Sequence, residues 1–118
     1  MSKVEEQASD EIDVGFRVVD ELAALIKAET ARTNGPAKTV VTAALRRGLA
    51  SLQQETGLTI GAIARDAGFT QFHAHLRQEE IDALDALRVD LEKVLARKVP
   101  FRHVLREVLH RGLSAADG

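Results

Sequence analysis

The chain has 118 residues, 45% of them hydrophobic but only 3% aromatic, so its core must be built from Val, Leu, Ile and Ala. It contains no cysteine, which excludes a disulfide framework and a thiolate metal site, and no apolar run nears the roughly 20 residues of a membrane span. The net charge of −2 does not announce a nucleic-acid binder, yet positive charge is concentrated: residues 14–53 carry six bases against three acids, and 96–118 carry five against two. A local basic surface, rather than net charge, is what a phosphate backbone feels.

Residues 1–11 are polar and acidic and read as a disordered tail. In Asp13–Val18, Val14, Phe16 and Val18 alternate with Asp13, Gly15 and Arg17, which predicts a short strand with one apolar face. Such a strand needs a partner. Asp20 and Glu21 open a helix, where acids suit the positive end of the dipole. Its buried stripe is Leu22, Leu25, Ile26 and Ala28, and Thr33-Asn34-Gly35-Pro36 ends it with residues that tolerate a left-handed cap. A second helix runs from Pro36 and fades near Gln53–Gln54.

Residues 55–70 form a connector, in which Thr59 could cap a short helix from Ile60 to Ala67, stopped by Gly68. A second strand is predicted over 71–77: Phe72, Ala74 and Leu76 alternate with His73, His75 and Arg77. Glu79 and Glu80 open the next helix, whose stripe is Ile81, Leu84, Leu87, Leu91, Val94 and Leu95. A last helix starts at Pro100.

The second and last helices repeat each other. Laid together without a gap, Pro36–Leu49 and Pro100–Leu113 share Pro36/Pro100, Val40/Val104, Leu45/Leu109, Arg47/Arg111, Gly48/Gly112 and Leu49/Leu113. Two copies are too few for a solenoid and suit two similar halves folded against each other. The domain reading is a tail at 1–11, a first half at 12–54, a connector at 55–70 and a second half at 71–114.

This strand–helix–helix order, with Arg17 closing the first strand, the Asn34-Gly35 turn and the Leu-Arg-Arg-Gly-Leu ending, resembles the ribbon-helix-helix fold of the Arc and MetJ repressor superfamily, in a tandem single-chain form. The resemblance implies a mainly α fold, a pseudo-dimer with a two-stranded antiparallel ribbon and a four-helix core. It further implies a cytoplasmic, sequence-specific DNA-binding protein, either a transcriptional repressor or an accessory factor of plasmid transfer or maintenance. The ribbon would enter the major groove of double-stranded DNA. Carried across, the base-reading residues are Asp13, Gly15 and Arg17 from one strand and His73, His75 and Arg77 from the other. Lys38, Thr39, Arg102 and His103, at the starts of the repeated helices, would anchor phosphates through free N–H groups and charge. Self-association on DNA, or a toxin or relaxosome protein as partner, is compatible with the resemblance; a membrane and a cofactor are not expected.

The second half has one residue fewer between Leu76 and Ile81 than the first has between Phe16 and Leu22. A one-residue slip would turn every side chain of the second strand over and direct Leu76 toward DNA. Gly15 reads nothing, and Asp13 beside phosphates is unfavourable unless it accepts from cytosine. Two other readings stand beside this one. Thr59–Thr70 resembles the opening of a helix-turn-helix, with Ala64 and Gly68 at the usual spacing and Gln71–Arg77 as its second helix. Alternatively, the acidic balance fits a helical oligomerisation or antitoxin-like adaptor without strong DNA binding. His73-x-His75 lacks a third ligand nearby and does not make a metal site. No nucleotide loop or nucleophile–base pair suggests an enzyme.

Overall fold

The structure, a computed structural model, describes residues 11–54, 60, 61 and 68–117. In chain order the elements are β1 (Glu11–Val18), α1 (Asp20–Thr33), α2 (Ala37–Gln54), β2 (Thr70–Arg77), α3 (Gln78–Leu95) and α4 (Phe101–Asp117). The described residues are thus mainly helical with one two-stranded antiparallel sheet. Most of the expected tail, and most of the connector with its short helix, lie outside the described residues. Glu11, assigned to the tail, belongs to the strand, which begins two residues earlier than alternation alone indicated.

β1 pairs with β2 from Glu11↔Arg77 to Val18↔Thr70. The one-residue slip does not occur: Ala74 and Leu76 are fully buried, as are Phe16 and Val18 on the partner strand. Gly68 takes a left-handed conformation, φ 69°, against the carbonyl of Val18, where any Cβ would collide. That glycine lets the chain enter β2 directly behind the end of β1. Gln71–Arg77 is therefore strand, and the second helix required by a helix-turn-helix is absent.

The core lies beneath the ribbon and is filled from both halves. Leu22 and Ile26 of α1, Val41, Ala44 and Leu45 of α2, Leu84 of α3, and Val104, Val108 and Leu109 of α4 are all sealed from solvent. The most extensive helix–helix contact is between α2 and α4. It is made close by two glycines used reciprocally: a Cβ on Gly48 would strike the Val108 carbonyl, and one on Gly112 would strike the Ala44 carbonyl. Each glycine lies four residues after the carbonyl-bearing residue of its own helix, so the two helices approach at matched points of the repeat.

Three expected core positions are corrected. Ala28 is exposed, and Glu29 is buried in its place, bonded to Arg32. Val94 is 80% and Leu95 is 40% exposed. Helix α3 outruns α1, and its last turn extends past the core it would need to cover them.

Candidate nucleic-acid interface

Directly opposed residues of an antiparallel pair point to the same side of the sheet. The register therefore gathers Glu11, Arg77, Asp13, His75, Gly15, His73, Arg17 and Gln71 on the face away from the core. All six residues expected to read bases, Asp13, Gly15, Arg17, His73, His75 and Arg77, share this face. Gln71 belongs to it too and was not anticipated, although extending the strict alternation of β2 back by one residue finds it. The counterface toward the core is Val14, Phe16 and Val18 with Phe72, Ala74 and Leu76, of which Val14 and Phe72 are partly buried and the rest buried.

The ribbon face carries its own polar network. Asp13 Oδ1 lies 3.2 Å from His73 Nδ1 and 3.6 Å from His75 Nε2. Gln71 Nε2 lies 3.4 Å from His73 Nε2. One carboxylate is thus shared by two imidazoles across the strands. Among the described residues no group of three or more His, Asp or Glu is set to hold a metal ion.

Two strands alone leave an unpaired backbone edge on each side. Here the second helix of each half supplies a side chain to the edge nearest it. Thr42 Oγ1 of α2 accepts from His75 N at 3.0 Å. Arg106 Nε of α4 donates to Arg17 O at 2.7 Å. Thr42 and Arg106 occupy the same place in the helix repeat. The short threonine holds α2 close behind β2, whereas the arginine, 3% exposed, spans a wider separation. Neither residue stands out in sequence, because their equivalence shows only once the helix repeat is combined with the strand register.

The helix starts flank the ribbon. The first helical bond of α2 runs from Val40 N to Pro36 O, so the N–H groups of Ala37, Lys38 and Thr39 precede the ladder. Lys38 lines a cleft with Asp13, Gln71, His73 and His75. On the other side, Arg102 and His103 line a cleft with Gly15, Arg17 and Gln71. His103 N donates to Pro100 O at 3.0 Å, which leaves Phe101 and Arg102 ahead of the α4 ladder. The four expected anchoring residues thus border the ribbon face on its two sides.

Arg46, also beside this surface, is committed internally. It bonds Glu80 at 2.7 Å and lies 3.8 Å from Glu11, tying α2 to the start of α3 and to β1. Burial opposes ionisation of Glu80, but the hydrogen bonds from Arg46 and the Arg77 N–H and the charge of both guanidiniums outweigh it. Together they hold its carboxyl below the usual carboxylate range.

No protein-family model, no curated protein and no solved structure matches the chain. No described helix is long and apolar enough to cross a membrane.

Proposed function

We propose that this chain is a tandem ribbon-helix-helix protein that binds duplex DNA, inserting its β-ribbon into the major groove. It would act as a transcriptional repressor or as an accessory factor in plasmid transfer or maintenance, without catalytic activity. The observation that carries the reading is the outward face of the ribbon. It is a paired, polar, two-stranded surface with the starts of two helices on either side of it. A major groove about 12 Å wide admits such a ribbon. Helix starts with preceding N–H groups and Lys38 or Arg102 suit the phosphates that border the groove. The pseudo-dimer reading is supported by two reciprocal sets of contacts, Gly48 on Val108 with Gly112 on Ala44, and Thr42 on His75 with Arg106 on Arg17. Such reciprocity is what an isologous interface produces.

The adaptor reading keeps one observation in its favour. Glu11 and Asp13 place two carboxylates on the ribbon face, which would oppose phosphates. A titration separates the two readings. Against a site selected from random duplexes, Arg17→Ala should weaken binding by about 1–3 kcal/mol and relax preference at one base position. Lys38→Ala and Arg102→Ala should weaken selected and scrambled duplexes about equally and reduce the salt slope by about one unit each. Affinity that is indifferent to salt and to all three changes would favour the adaptor.

A further inference from the structure

The ribbon of a homodimer presents the same residues twice; this ribbon does not. The contacts of Thr42 with His75 and of Arg106 with Arg17 match Arg17 to His75 as equivalent strand positions. The same offset matches Gly15 to His73, which are also directly paired, and Asp13 to Gln71. The ribbon is therefore centred on the Gly15↔His73 pair. At every outward position the two halves differ in kind: guanidinium against imidazole, hydrogen against imidazole, carboxylate against amide. The two ends differ in charge as well. Arg17 faces Gln71 at one end, with Arg102 and His103 lining the adjoining cleft and no carboxylate among its described lining residues. Asp13 faces His75 at the other end, followed by Glu11 beside Arg77.

Resting on the DNA-binding reading above, we infer that the ribbon reads a non-palindromic duplex in one fixed orientation. Under the Arg17/Gln71 end lie purine edges, each with its N7 acceptor. Arginine offers two donors that match guanine O6 and N7, and glutamine pairs with adenine N6 and N7. Under the Asp13/His75 end lie bases that present an amino group. The Asp13 carboxylate only accepts, so it pairs with the N4 amino group of cytosine and repels the O6/N7 edge of guanine. The histidines that flank Asp13 hold that carboxylate in the face of the ribbon.

The chain has no cysteine, so one introduced thiol reports orientation. Phe69 is 91% exposed and adjoins the Arg17/Gln71 end, through Thr70 paired with Val18. The experiment selects a site from random duplexes with the full-length protein. It then attaches an iron chelate to Phe69→Cys and maps strand cleavage on that site. The expected result is a non-palindromic consensus, cleavage on one flank only, and a guanine preference on the cleaved side that Arg17→Ala relaxes. At a cytosine on the other side, Asp13→Asn should reduce discrimination against guanine by about tenfold. A palindromic consensus, or equal cleavage of both flanks, with Arg17→Ala still weakening binding, overturns the fixed orientation and leaves the DNA-binding reading standing. Absence of any selected site, or binding that ignores both Arg17→Ala and His75→Ala, overturns both.

Discussion

Two residues with positive φ end the first helix of each half. Asn34, φ 57°, caps α1 and donates its N–H to Thr30 O, as the Asn-Gly pair in the sequence announced. Ala96, φ 56°, takes the same left-handed conformation at the end of α3, with no side chain suited to it. An alanine held in this region costs about 1–2 kcal/mol relative to the right-handed conformation, a penalty that glycine avoids. Ala96→Gly is expected to stabilise the protein by about 1 kcal/mol in chemical denaturation; a loss of stability would show that the cap is not held in this geometry. The opposite holds where glycine makes room. Gly48→Ala and Gly112→Ala each force a methyl group into a backbone carbonyl of the facing helix, and each should destabilise by at least about 1–3 kcal/mol. A thermal melt unaltered by both would mean that the helices are not in contact there. Glu80 sets a pH dependence. Its folded carboxyl titrates below the ordinary value of 4.5, so its stabilising effect is complete above about pH 4.5 and is lost as pH falls through the lower folded value. Glu80→Gln should lower the melting temperature near neutrality, and the gap from the parent should close in acid. A gap of constant size from pH 7 to about pH 3 would remove the ion pair from the account.

At the scale of elements, the apolar stripes of α2 and α4 were legible because amphipathic helices of this length repeat their buried positions every three or four residues. Leu45 and Leu109, aligned in the repeat, are both completely buried. Leu45→Ala or Leu109→Ala should cost on the order of 2–5 kcal/mol, measured by denaturant titration. A cost below about 1 kcal/mol would mean that the site collapses around the change. Periodicity failed at the end of α3, where Val94 and Leu95 continue a helical pattern beyond the surface available to cover them. It could not choose the register of β2 either. One missing residue before α3 leaves two registers open in sequence, and the burial of Ala74 and Leu76 selects one of them.

For the whole molecule, neither half closes its own structure. Among the described residues, β1 and β2 find their ladder only in each other, and α2 lies behind the strand of the other half. Separate peptides of residues 1–54 and 68–118 would expose the face where Gly48 meets Val108 and Gly112 meets Ala44, along with a complete strand edge. Neither peptide should melt cooperatively as a monomer, whereas an equimolar mixture should recover a single transition by circular dichroism. Cooperative unfolding of either monomer alone would show that the halves are independent domains.

The order of elements, the repeat, and the polar character of the strands came from the sequence by itself, because propensity, capping and amphipathic spacing are local and are written residue by residue. Asn34 and the matched Leu45 and Leu109 belong to that class. What the tertiary structure decided is pairwise and distant. It set Arg17 opposite Gln71, committed Arg46 to Glu80, and set Arg106 and Thr42 against the two outer strand edges. Each of these depends on where a residue more than thirty positions away comes to rest. Local preference is silent on that, and only the closing of one common core beneath the ribbon determines it.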